Sequence, residues 1–170
     1  GVVITKIEVW ITNRAGNTQD SRDVLGFMDL GENSPYNTTL FTGAGYTALP
    51  SGFSNPLFPR PSNNLLERLP AGARQTNSNE VISFFQGSGA TDNFAKLTYA
   101  RKLTEREFTF HPRLGYISLN NALNADEVLA VSYRYTFNGV EYQVGEFSTD
   151  IPFEQSAPKV LYAKLLKNET

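Results

Sequence analysis

Cysteine is absent from the 170 residues. Disulfides, thiolate metal sites, cysteine nucleophiles and iron–sulfur clusters are therefore excluded. Histidine occurs once, as His111. A Ser-His-Asp triad would have to use it, and a polyhistidine metal site cannot form. Charge is also scarce. Charged residues make up 19% of the chain, below the usual quarter, and Ser, Thr, Asn and Gln take their place. That trade is common in extracytoplasmic β-rich proteins. No basic excess exists, because 15 Lys and Arg against 17 Asp and Glu leave a formal net charge of −2. Such a balance cannot neutralise a phosphate backbone and argues against a nucleic-acid partner. Long apolar runs are missing too, whereas a membrane-spanning helix needs about 20 such residues. The chain opens on Gly1 instead of Met, shows no signal peptide, and ends on polar residues 167–170, so it reads as a segment of a larger protein.

What is present suits a single folded β domain. Hydrophobic residues are 40% and aromatics 12%, enough for a core, and the length fits one ordinary domain. Residues 4–12 alternate, with Ile7, Val9 and Ile11 on one face and Lys6, Glu8, Trp10 and Thr12 on the other, which predicts a half-buried strand with Trp10 on its polar side. Polar residues 13–23 read as a loop, and apolar 24–30 as a strand pairing back on the first. The stretch 31–63 changes character. Pro35, Pro50, Pro56, Pro59 and Pro61 forbid a regular ladder or helix, yet Tyr36, Phe41, Tyr46, Phe53 and Phe58 are more aromatic than a linker requires. A packed excursion that is functional or forms an interface is expected there.

Residues 64–69 predict a helical turn stopped by Pro70. Segment 78–86 suits either a short helix or a strand, and 94–103 is ambiguous. Residues 107–110 and 114–119 alternate as strands, and 159–166 make a last one. The strongest local pattern is the pair of alternating runs around Asn138-Gly139, which predicts a two-residue type I′ hairpin. Its register sets Phe137 against Val140, Tyr135 against Tyr142, Tyr133 against Val144 and Val131 against Glu146. The aromatic face needs a cover, for which a second sheet is simplest; a lipid-facing barrel strand is the less favoured reading. Together these patterns predict a mainly β fold: an antiparallel β-sandwich over residues 1–170, with a few short helical turns and a long Pro/Gly-rich loop.

Motifs for chemistry are few. The acidic pairs Asp126/Glu127, Glu105/Glu107 and Glu141/Glu146 have no spacing that selects a glycosidase dyad. Glu146 falls on the apolar face, and Arg113 or Arg101 could pair with it. His111 precedes Pro112 at a strand end. No nucleophile elbow, phosphate loop, dinucleotide fingerprint or calcium loop occurs. The expectation is a protein that is not an enzyme and uses neither cofactor nor metal. The binding residues it offers are Tyr36, Tyr46 and Phe53 of the loop, and Trp10.

The blocks ITKIEVWITN and FMDLGE, then ARKLTEREFTFHPRLGYISLNNALNADEVLAVSYRYTFNGVEYQVGEFSTD, then VLYAKLLK, resemble the SprA/Sov family of Bacteroidetes. These are very large outer-membrane proteins of type IX secretion and gliding motility. The matching blocks span most of the chain, and 31–93 stands out as a variable insertion. The resemblance implies a folded module attached to, or inserted in, a giant β-barrel translocon in the cell envelope. It implies no catalytic residue. Its partners would be the barrel or neighbouring modules of the parent protein and accessory subunits of the secretion system. A surface carbohydrate- or ligand-binding β-sandwich, using Trp10, Tyr36 and Tyr46, is the alternative. A hydrolase with a carboxylate pair is the third reading.

Overall fold

The computed structural model describes residues 1–13, 21–33, 65–69, 71–76 and 94–167. Among them are eight strands: β1 (Val3–Ile11), β2 (Arg22–Phe27), β3 (Phe94–Lys102), β4 (Phe108–His111), β5 (Tyr116–Leu119), β6 (Leu129–Phe137), β7 (Val140–Val144) and β8 (Leu161–Lys167). Two 3-10 turns, Leu66–Arg68 and Ala71–Arg74, complete the regular structure. The fold is mainly β, as its patterning predicts. Segment 78–86 lies outside the described residues.

Six strands form one mixed sheet in the order β1-β3-β2-β8-β6-β7, and β6 pairs again with β1. That last pairing rolls the sheet into a ring. β2 and β6 face each other across its interior, where a Cβ at Gly26 would lie 3.5 Å from the Ala130 Cβ. The two β-layers of a sandwich are therefore halves of one rolled sheet. β6 is the hub. One edge runs along β1, from Thr136 opposite Val3 to Leu129 opposite Ile11. Its other edge takes β7 over Tyr133–Phe137 and β8 over Leu129–Val131. β2 and β8 run parallel, and the remaining pairs are antiparallel.

The ring interior is narrow, and its lining is graded to fit. Trp10 from β1 fills it, against Val24, Leu97, Ala100, Ala130, Leu161, Ala163 and Leu165. Small residues stand where strands approach most closely. Outside the ring are two further apolar clusters. On one face the β4–β5 hairpin lays Phe108, Phe110, Ile117 and Leu119 over Val9, Ile11, Leu129 and Val131. On the other, Leu30, Leu65, Leu66 and Ala73 cover Leu25, Phe27, Val144 and Tyr162. Each large buried side chain stabilises the fold by about 1.5–3 kcal/mol.

The Asn138-Gly139 hairpin has the expected register, with Phe137 opposite Val140, Tyr135 opposite Tyr142 and Tyr133 opposite Val144. Both turn residues take the positive φ of a type I′ turn, 50° and 76°. The ladder stops before Val131 and Glu146 can pair. Gly145 turns out of it at φ 75°, and a Cβ there would meet Ser132 Oγ at 2.5 Å and Ala163 Cα at 3.2 Å. Glu146 N then donates to Tyr162 O at 2.7 Å.

Besides the Val131–Glu146 pairing, which gives way to Val131 opposite Lys164, two expectations about strand placement need correction. β2 does not pair with β1; its neighbours are β3 and β8. Its run Val24-Leu25-Gly26-Phe27 has no polar alternation because both faces are buried, the pattern of a central strand beside a parallel neighbour. Trp10 does share a face with Lys6 and Glu8, but that face points into the ring, and Trp10 is 2% exposed. Alternation separates the two faces of a strand. It does not tell which face meets water once the sheet has closed.

Segment 145–151 plugs the more polar end of the interior. Phe147 is fully buried between Lys6 Nζ, 4.3 Å from its ring centroid, and the Arg134 guanidinium at 5.3 Å. Ser148 donates from N and Oγ to the two Glu8 carboxylate oxygens, at 2.9 and 2.8 Å. Asp150 Oδ2 accepts from Phe147 N and Gln143 Nε2, both at 2.9 Å. These bonds offset the desolvation of every polar group they join.

Candidate functional site

The long loop has a fixed base. Leu65 N donates to Leu30 O at 3.2 Å, so the chain leaves the ring after Leu30 and returns to the same point at Leu65. Around that base Glu32 Oε2 accepts from Leu30 N at 2.8 Å, and its carboxylate pairs with Lys164 of β8. Beyond it, residues 71–76 run along the ring. Gln75 bridges to Lys159, and Val160 N donates to Arg74 O at 3.0 Å. Leu69 is extended, as the residue before a proline should be.

The strongest fastener on this face is ionic. Glu146 is fully buried, and its carboxylate accepts from Arg74 Nη1, from Arg74 Nη2 at 2.8 Å and from Tyr162 N at 2.9 Å. Arg74 also lies 4.0 Å over the Tyr162 ring. Burial pushes the Glu146 carboxyl pKa up, and the Arg74 bonds and charge and the Tyr162 N–H oppose it. For Arg74, burial works downward, but the Glu146 bonds and charge outweigh it and hold the guanidinium above its ordinary value. With three donors on one carboxylate, the pair is ionised. Its partner is therefore Arg74, not Arg113 or Arg101. Arg101 is taken by Glu107, through Nη1 at 2.7 and 2.8 Å.

Glu107, Glu127 and Glu141 have local partners. Glu107 also accepts from Thr104 N at 3.2 Å. Glu127 accepts from Asn124 N at 2.9 Å, and Glu141 lies 3.7 Å from Arg134 Nε. His111 stacks on Tyr116 with centroids 5.6 Å apart, and its Nδ1 accepts from Leu114 N at 3.1 Å. Among the described residues no group of three or more His, Asp or Glu could hold a metal ion.

At one pole of the ring is a concavity of about 370 Å³, lined by Arg22, Asp23, Thr76, Lys96, Thr98, Tyr99, Phe153 and Lys159 among others. β2, β3 and the 153–159 segment converge there. The pairing of Arg22 with Ala100 and of Val24 with Leu97 sets Thr98 and Tyr99 opposite the single residue Asp23, a bulge. Tyr99 adopts φ 51°, and Asp23 Oδ1 secures it by accepting from Tyr99 N at 2.8 Å. A left-handed aromatic residue is strained and stays so only where its surroundings impose it. The bulge leaves the Tyr99 side chain 54% exposed, with Phe153 58% exposed on the other side of the concavity.

Of the binding residues predicted from sequence, Trp10 is inside the ring and cannot be reached, while Tyr36, Tyr46 and Phe53 lie outside the described residues. Sequence reasoning did not find Arg22, Lys96, Tyr99, Phe153 and Lys159. They come from three separated stretches that only ring closure unites, and nothing local marks them. Set beside known proteins, the chain matches no family model and no curated sequence.

Proposed function

We propose that this domain is a non-enzymatic structural and interaction module of a large outer-membrane translocon of the SprA/Sov type, serving type IX protein secretion and gliding motility in the cell envelope. The single ring provides the body, and the 31–63 excursion provides the contact. The sequence blocks that resemble the family supply β1, the last residue of β2, the end of β3 from Ala100, then β4 to β7, and β8. The stretch without resemblance, 31–93, includes the excursion.

The observation that carries this reading is the pinned base. Leu65 N donates to Leu30 O and Glu32 accepts from Leu30 N, so the chain re-enters the ring at the point where it left it. Material in such a position is free to serve a partner, and loops on rigid scaffolds commonly do so. Its partner is the barrel, a neighbouring module of the same polypeptide or an accessory subunit of the secretion machinery. The carbohydrate-platform alternative loses Trp10, whose ring is enclosed.

The test replaces 34–63 by a short Gly/Ser linker, keeping Glu32 and its bonds. The isolated domain should still fold, with an unchanged circular dichroism spectrum. The full-length protein carrying the same replacement should lose secretion and gliding. Normal secretion and gliding with the linker in place would show that the loop is not the contact.

A further inference from the structure

We propose that the concavity lined by Tyr99 and Phe153 is a binding site for an acidic saccharide, its carboxylate set among Arg22, Lys96 and Lys159 and its ring face against the aromatic side chains. This goes beyond the translocon reading and does not depend on it.

The central observation is Arg22. It is 7% exposed, yet among the described residues no carboxylate lies within ion-pair distance of it. Its guanidinium donates to two backbone carbonyls, Nη1 to Ile151 O at 2.5 Å and Nη2 to Lys159 O at 2.9 Å, and lies 5.9 Å from the Phe153 ring centroid. Nε is buried with no acceptor. Glu146 and Glu8 act on it only at longer range, and each is already held, by Arg74 and by Ser148. Carbonyl oxygens orient a guanidinium but do not cancel its charge. A buried cation without a counter-ion is expensive in a structure and attracts an anion wherever one can approach.

The concavity lets one approach. Its lining brings Arg22, Lys96 and Lys159 against one acid, Asp23. Asp23 is occupied by Tyr99 N on one oxygen, and its other oxygen lies 3.9 Å from Lys96 Nζ. The balance favours an anionic ligand. The rest of the lining narrows its class. Thr98 and Gln155 offer hydroxyl and amide groups, and the Thr76 hydroxyl, which donates to Pro158 O at 3.2 Å, keeps its acceptor lone pair, the chemistry that reads sugar hydroxyls. Tyr99 and Phe153 are exposed aromatic residues of the same lining, on which a pyranose could stack. The volume of about 370 Å³ falls in the range of small-ligand sites. Strain at Tyr99, imposed through Asp23, gives the site a built geometry. An acidic peptide would use the same cations but leave the hydroxyl-binding groups and the two aromatic residues without a role.

Calorimetry on the 170-residue chain tests this with three probes: an oligogalacturonate, a neutral galacto-oligosaccharide of the same length, and an acidic peptide. The oligogalacturonate should bind, and raising the salt should weaken it. The neutral sugar should bind at least about tenfold less tightly, a difference of about 1.4 kcal/mol. Lys96→Gln and Phe153→Ala, at exposed positions that keep the fold, should each weaken oligogalacturonate binding about tenfold. Glu107→Gln, outside the concavity, should leave it unchanged. Failure of the oligogalacturonate to bind overturns the proposal. So does equal binding of the neutral sugar, or binding of the peptide alone. Loss of binding in the Glu107→Gln control would equally count against the pole as the site.

Discussion

Arg74 and Arg22 are both drawn into the protein, on neighbouring parts of the same ring, and they solve the problem of a desolvated guanidinium differently. Arg74 meets a carboxylate, Glu146, which is itself fully buried and holds two of its nitrogens. Arg22 meets two carbonyl oxygens and the Phe153 ring, with no carboxylate in ion-pair reach, and borders an open concavity. The first arrangement is closed. It ties residues 71–76 to β8 and to the turn after β7. The second is incomplete in charge though nearly complete in hydrogen bonds. Burial of a charge is thus not one signal. What sits opposite the charge separates a fastener from a place where something can bind.

That contrast can be broken most forcefully at Arg74. Arg74→Met should destabilise the domain by about 3–5 kcal/mol, because it strands the Glu146 carboxylate in the interior. The double variant with Glu146→Leu should recover most of the loss, as chemical denaturation of both would show. A smaller effect is expected one residue before Glu146. Gly145→Ala should cost about 3 kcal/mol, since its φ of 75° disfavours a side chain and the new Cβ would press on Ser132 Oγ and Ala163 Cα. Its melting temperature should fall accordingly.

Next in size is a pH effect on the fastened face. Burial first, and then the charge of Glu32, push the Tyr133 hydroxyl up to about 12 from an unfolded value of 10. Because the folded pKa is raised, the associated stability is complete below pH 10 and is lost as pH climbs from 10 toward 12. The loss is about 2 kcal/mol. Absorbance at tyrosinate wavelengths should show one late-titrating group, and Glu32→Gln should make it titrate earlier. The smallest effect sharpens the comparison directly. Arg22→Met should cost only about 1 kcal/mol, because the lost bonds to Ile151 O and Lys159 O are offset by removal of an unbalanced buried charge. Equal losses for Arg22→Met and Arg74→Met would erase the distinction.

Legibility in the sequence followed physical range. The hairpin around Asn138-Gly139 was readable from the turn out to Tyr133 opposite Val144, but not at Val131, because a two-residue turn with positive φ and period-two patterning are local facts while the pairing of Val131 with Lys164 is not. The helical turn before Pro70 was readable for the same reason. β2 was recognisable as a strand but not in its pairing, which depends on β3 and β8 from far along the chain. Glu146 stood out on an apolar face, and its need for a cation was clear. The cation came from position 74, within a stretch read as insertion. Trp10 illustrates the deepest limit. Its face was correct, but ring closure made the polar-patterned side of β1 an interior wall there. The pole concavity left no trace, since residues 22, 96–99 and 153–159 share no motif and meet only through topology.

The contact role of the excursion is most directly measured by site-specific photo-crosslinking from positions within 34–63 of the full-length protein in its native envelope. Adducts to the translocon barrel, a neighbouring module or a secretion accessory subunit are the expected result. Probes that label only lipid, solvent-quenched product or this domain itself would contradict it.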